Sequence, residues 1–186
     1  MERVASYDQR ILLKNNYFII GFMGVGKSTI GRRLEKENGI AVIDIDYLIQ
    51  LETGIKVKTI IHTRGERYFR NKETKIIKRI SKLKGYVYIL GGGALSREEN
   101  IKFLQGKGKF IYIYTSLEKL LSLFKHIRRP IIDKSKNKER TIKKLFEERD
   151  PIYKKVSDYI IINDGKKDLK EEVLKYIELN EKSEER

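Results

Sequence analysis

Short apolar runs alternate with longer amphipathic stretches along the 186 residues, the arrangement of α/β units and not of an all-helical bundle. Tyr17-Phe18-Ile19-Ile20, Ile40-Ala41-Val42-Ile43, Tyr86-Val87-Tyr88-Ile89-Leu90, Phe110-Ile111-Tyr112-Ile113-Tyr114 and Tyr159-Ile160-Ile161-Ile162 read as five strands. Each is continuously apolar, which predicts strands covered on both faces and hence a parallel sheet between two helix layers. Helical periodicity fills the intervals: Ser28 to about Asn38, closed by Gly39, then near 45–52, 65–83, 96–105, 116–127, 138–148 and 168–179. The basic segment Arg128–Glu139, interrupted by Pro130, has neither pattern and is expected to be a mobile loop. The charged Asn180–Arg186 end is expected to fray.

Composition narrows the classes. Length suits a single domain over 1–186, and 40% hydrophobic residues suffice for a core. The absence of cysteine excludes disulfide scaffolds, thiolate metal sites and cysteine nucleophiles. Two histidines, His62 and His126, stand far apart and do not make a metal cluster. No apolar run reaches the ~18–20 residues of a membrane span, and the MERVASYDQR start lacks the basic-then-apolar plan of a signal peptide. A soluble, cytoplasmic, monomeric protein without membrane partners is expected. The net charge of +15 invites a nucleic-acid reading. The lysines, however, are spread over most helical stretches, and no RNP, zinc-finger or basic-zipper pattern is present. A solvated basic surface on a protein that handles small anions fits better, with no nucleic acid as partner.

Candidate chemistry begins after the first strand. Gly21-Phe22-Met23-Gly24-Val25-Gly26-Lys27-Ser28 satisfies G-x-x-x-x-G-K-[ST] between a strand and a helix, the context that the pattern requires. The backbone from Gly24 to Thr29 can turn N–H groups toward phosphate oxygens at a helix N-terminus. Lys27 can reach the β- and γ-phosphates, and Ser28 can ligate Mg²⁺. A nucleoside triphosphate is the expected ligand, with Mg²⁺ as its cofactor. The N-K-x-D guanine reader of a GTPase is absent: Asn71-Lys72-Glu73-Thr74 and Asn137-Lys138-Glu139-Arg140 both lack the aspartate. A small-molecule or nucleotide kinase remains.

The acceptor side is read from four further segments. Asp44-Ile45-Asp46 follows the second strand, where alternation would place both carboxylates on one side of the sheet's C-terminal end. One would hold a Mg²⁺-bound water and the other would take the acceptor's proton; alternatively, Asp46 caps a helix beginning near Tyr47. Arg70 lies on the first turns of a long amphipathic helix and could fork onto a carboxylate. Gly91-Gly92-Gly93 follows the third strand and predicts close approach to the backbone. Arg128-Arg129-Pro130 opens the polar loop, and Arg149-Asp150-Pro151-Ile152-Tyr153 ends the helix after it.

Taken in order, GFMGVGKSTIGRRL, DIDYLI, Thr53-Gly54, GERYFRNKE, GGGAL, RRPII and RDPIY resemble the shikimate kinase family from about Phe18 to Ile162. The resemblance implies a five-stranded parallel sheet of order 2-3-1-4-5, as in nucleoside monophosphate kinases. It implies a substrate-binding insert near 45–75 and a lid near 128–139. The implied reaction is ATP-dependent phosphorylation of the shikimate 3-hydroxyl on the route to chorismate. By the same resemblance Asp44 matches the Mg²⁺-water carboxylate, and Asp46 the shikimate-binding carboxylate and base. Arg70 and Arg149 match the pair on the substrate carboxylate. Gly91, Gly92 and Gly93 match backbone contacts, Arg129 matches a lid arginine reaching ATP phosphate, and Lys166 lies in the loop on the adenine side. Departures are Ile131-Ile132 for two leucines, His62-Thr63-Arg64 before Gly-Glu, and Ser122 where an arginine often stands. Two alternatives stay open: a kinase for another small acid or a nucleotide, and a P-loop protein that binds nucleic acid.

Overall fold

In the computed structural model, which describes residues 10–125, 132 and 135–183, five parallel strands form one sheet of order β2-β3-β1-β4-β5. The strands are β1 (Tyr17–Gly21), β2 (Val42–Asp44), β3 (Val87–Ile89), β4 (Lys109–Tyr114) and β5 (Tyr159–Ile162). The helices are α1 (Lys27–Asn38), α2 (Ile45–Thr53), α3 (Val57–Ile80), α4 (Glu98–Leu104), α5 (Leu117–Leu123), α6 (Lys138–Val156) and α7 (Leu169–Ser183), with a 3₁₀ turn at Ala94–Ser96. Register is set around the central strand, where Tyr17 faces Val87 on one side and Lys109 on the other.

The continuous apolar runs serve two cores at once, because successive side chains of a strand point to opposite faces. Tyr17, Ile19, Val87, Ile89, Ile111 and Ile113 pack with Leu34 of α1 and with Val173 and Ile177 of α7. Phe18, Ile20, Tyr88, Leu90, Phe110 and Tyr112 pack with Ile49 of α2, Phe69 and Ile77 of α3, and Tyr153 of α6. The strand expected last in the chain departs from this rule. β5 is a sheet edge, and Tyr159, Ile160 and Ile162 are exposed there, so an apolar run did not guarantee cover on both faces.

Two helix boundaries also differ from the pattern reading. α3 begins at Val57 and not near 65, because two helical segments meet at Gly65, whose φ of 81° and ψ of 162° lie in a region open essentially to glycine alone. The segment after this kink carries Arg70 on its first turns. α6 continues past 148 to Val156 with Pro151 inside it, which keeps Arg149 and Tyr153 on one helical face, four residues apart. Among the described residues, no helix is long and apolar enough to cross a membrane. Half of the expected lid at 128–139 lies outside the described residues; of the rest, Ile132 is buried, and α6 starts at Lys138.

Candidate active site

At the C-terminal end of the sheet a cavity of about 280 Å³ is lined by the loop before α1, by Asp44 and Asp46, and by Gly91 and Gly92. A larger cleft of about 950 Å³ adjoins it, reaching Arg70 and Gly93 between α2 and α3. The phosphate-loop turn is built as the motif requires. Gly24 and Gly26 take positive φ (84° and 98°), which lets the chain reverse within a few residues, and the Thr29 and Ile30 N–H groups both donate to Gly26 O at 2.9 Å. Gly24, Gly26, Lys27, Ser28 and Thr29 line the smaller cavity, whereas Val25 is buried in the core. Lys27 is not on an open loop. It is the first residue of α1, 7% exposed, and its Nζ donates to Gly21 O and Phe22 O at 2.8 Å each.

The two aspartates reach the same cavity by a different route from strand alternation. Asp44 is the last residue of β2 and the N-cap of α2. Its Oδ1 accepts from the Asp46 N–H at 3.0 Å and the Tyr47 N–H at 3.3 Å. Asp46 is already in the first helical turn, so it is Asp44, not Asp46, that caps. The Asp46 Oδ1 is buried without a hydrogen-bond partner among the described residues. Burial, helped by the nearby Glu73 and Asp44 charges and opposed by Lys27 and Arg70, pushes its pKa up to about 6.

The three glycines each vacate space for a particular neighbour. A Cβ at Gly91 would lie 2.8 Å from Glu73 Oε1 and 3.3 Å from Asp46 Oδ1. At Gly92 it would meet the Met23 backbone nitrogen at 2.9 Å, and at Gly93 the Arg70 guanidinium at 2.4 Å. The turn is therefore where the phosphate loop, the aspartates and α3 converge. Arg70 Nη1 donates to Glu73 Oε2 at 2.7 Å, and its Nε and Nη2 reach Glu66. Burial lowers the Arg70 pKa, but the two glutamates outweigh it and the net shift is upward. Glu73 is fully buried; burial raises its pKa in spite of Arg70, and its Oε1 has no partner among the described residues.

Arg149 lies behind the glycine turn and lines neither cavity. It is 5% exposed, its Nη1 donates to Gly92 O at 2.8 Å, and its guanidinium lies 5.7 Å from the Phe22 ring centroid. Among the described residues it has no carboxylate at ion-pair distance. Burial and the neighbouring Arg70 charge lower its pKa. Lys166 is exposed in the loop after β5, its N–H on Asp164 Oδ1 at 2.8 Å, and it lines neither cavity. Arg129 lies outside the described residues.

Sequence reasoning missed Glu73 and Tyr153. Glu73 stands three residues after Arg70, the spacing of a helical ion pair, and that signal was available. Tyr153, whose hydroxyl also donates to Gly92 O, carried only the i, i+4 relation to Arg149.

A divalent cation has a fitting place. Ser28 and Asp44 both line the smaller cavity, a hydroxyl and a carboxylate suited to a hard ion such as Mg²⁺.

This sheet order, with a phosphate loop after its central strand and a polyanion-sized cavity at the strand ends, defines a P-loop phosphotransferase of the nucleoside monophosphate kinase type. The family described as "Shikimate kinase" matches residues 23–180. A shikimate kinase of Chromobacterium violaceum is 39% identical over 150 residues, covering 80% of this chain and 81% of the relative. One from Buchnera aphidicola subsp. Schizaphis graminum is 36% identical over 153 residues, covering 82% and 88%. Among solved structures, the shikimate kinase of Acinetobacter baumannii in complex with shikimate superposes with a TM-score of 0.79 at 32% identity, covering 89% of this chain and 94% of that one. The chain belongs to the shikimate kinase family, a family of ATP-dependent kinases.

Proposed function

We propose that this protein transfers the γ-phosphoryl group of ATP to the 3-hydroxyl of shikimate, giving shikimate 3-phosphate. The observation that carries the acceptor assignment is Arg149, a buried guanidinium with no carboxylate at ion-pair distance among the described residues, which lies against Phe22 of the phosphate loop, bonds the glycine turn and feels the charge of Arg70. A small anionic polyol supplies the missing carboxylate, and the complex of a 32% identical family member with shikimate supports the same reading. The chain works as one kinase domain, with α2 and the first part of α3 as the acceptor-binding insert, and every described group assigned to the two substrates comes from a single copy.

The division of labour follows from charge and position. Gly24, Val25, Gly26 and Ser28 offer backbone N–H groups to the ATP phosphates, Thr29, whose N–H is on Gly26 O, offers its hydroxyl, and Lys27 adds a cation already aimed at the loop by two carbonyls. Ser28 and Asp44 would hold Mg²⁺, which supplies counter-charge to the phosphate oxygens. Asp46, with its oxygen unpaired and its pKa near neutrality, accepts the acceptor hydroxyl's proton. Arg70 and Arg149 hold the acceptor carboxylate, and the Gly91–Gly93 backbone binds alongside. Arg129 and Lys166 are assigned to the ATP side by resemblance to the family. The test is a coupled assay of ADP release with shikimate, quinate, gluconate and no acceptor. Release dependent on shikimate is expected; a preference for gluconate or quinate would overturn the assignment.

A further inference from the structure

The carbonyls of the glycine turn are all engaged. Gly91 O accepts from the Ala94 N–H at 3.0 Å, and Gly93 O from the Ser96 N–H at 3.2 Å. Between them Gly92 O takes two side chains of α6, Arg149 Nη1 at 2.8 Å and the Tyr153 hydroxyl. The N–H groups of Gly91, Gly92 and Gly93 have no acceptor among the described residues. A planar trans peptide sets its N–H opposite its C=O, so whatever fixes Gly92 O also fixes the direction of the Gly93 N–H.

We propose that Tyr153 is a positioning residue for the acceptor site: its hydroxyl holds the Gly92–Gly93 peptide and, through the shared carbonyl, sets the orientation in which Arg149 meets the acceptor's carboxylate. This role rests on the acceptor reading given above. The tyrosine separates its two tasks. Its ring, 2% exposed, packs against Tyr112 with centroids 5.1 Å apart, whereas the only hydrogen bond of its hydroxyl among the described residues is to Gly92 O. Burial holds its pKa up at about 12, which keeps the hydroxyl a neutral donor. Tyr112 provides the contrast, since its hydroxyl donates to Asp150 Oδ1 at 2.8 Å and has no bond to the turn. Removing the Tyr153 hydroxyl leaves Gly92 O still paired with Arg149, so the fold loses little. The peptide and the guanidinium instead gain freedom to re-aim.

The experiment compares Tyr153→Phe and Tyr112→Phe with wild type in steady-state kinetics and thermal unfolding. Tyr153→Phe should raise KM for shikimate about tenfold, equivalent to about 1.4 kcal/mol, with KM for ATP inside about twofold. Its Tm should stay within about 4 °C of wild type, and Tyr112→Phe should leave KM for shikimate unchanged. Should Tyr153→Phe not fold, 3,5-difluorotyrosine at position 153 keeps the ring and alters only the hydroxyl as a donor, and a change in KM for shikimate without one for ATP is then the expected readout, with no change in either overturning the role. Unaltered KM for shikimate, or equal rises for both substrates, overturns the positioning role alone. Wild-type protein without shikimate-dependent ADP release overturns the acceptor assignment and this role with it.

Discussion

Glu73 Oε1 and Asp46 Oδ1, both without a partner among the described residues, converge from α3 and α2 on the side of Gly91 where a Cβ would stand. Two carboxylates in a buried space oppose each other's ionisation, and Arg70 relieves that opposition chiefly at Glu73, to which it is directly bonded. Burial nevertheless raises both carboxyls, that of Asp46 to about 6.

Because Asp46 must be ionised to accept a proton, kcat should fall as pH drops through about 6. Asp46→Asn should lower kcat by roughly 10²–10⁴-fold. Its stability effect has the opposite sign. The folded-state pKa, about 6, lies above the ordinary 3.8, so the stabilisation is present below the ordinary value and lost as pH rises through about 6. A shift of about two units corresponds to at most about 3 kcal/mol. Asp46→Asn should therefore melt higher than wild type at about pH 8 and show no gain at about pH 4. A variant that melts lower at the alkaline point would show that Asp46 is not strained in its ionised form.

Arg70→Ala and Arg149→Ala should both weaken shikimate binding, by about 2–5 kcal/mol for truncation of a desolvated charged partner, while ATP binding changes little. Their stabilities should diverge. Arg70→Ala strands the fully buried Glu73, a loss of about 3–5 kcal/mol, and adding Glu73→Gln should restore much of it. Arg149→Ala strands no carboxylate among the described residues. Denaturant unfolding of the three variants checks this, and equal losses for both arginines would contradict it.

Lys27→Ala should abolish turnover, and it should also destabilise the protein. Gly21 O and Phe22 O each lose a donor at 2.8 Å, at roughly 1–3 kcal/mol for buried groups left unsatisfied. The circular-dichroism spectrum should remain that of the folded protein with a lower Tm. Retention of more than about a tenth of wild-type rate would exclude Lys27 from phosphate stabilisation.

Asp44→Asn should raise the Mg²⁺ concentration needed for half-maximal rate while leaving Tm nearly unchanged, because asparagine caps a helix about as well as aspartate. A Mg²⁺ titration of the rate beside a melting curve separates the two tasks of this residue. A lowered Tm with an unaltered Mg²⁺ profile would assign Asp44 to capping alone.

The order of motifs along the chain determined the family, and the apolar runs determined the strands, since a two-sided core demands continuous apolar residues in the middle of a parallel sheet. The glycine and lysine of the phosphate loop were legible for a similarly local reason: the turn, the helix start and the reaching cation all lie within eight residues, Gly21 to Ser28. Three things were decided only by the tertiary structure. Exposure of β5 depends on its place at the sheet edge, which a strand's own composition does not record. The capping role fell to Asp44 and the unpaired oxygen to Asp46, because β2 ends one residue later than its apolar run does. Glu73, Arg149 and Tyr153 meet around Gly91 and Gly92 although up to 80 residues separate them. Their perturbed charges arise from burial against one another, a property of the packed site that no segment carries alone.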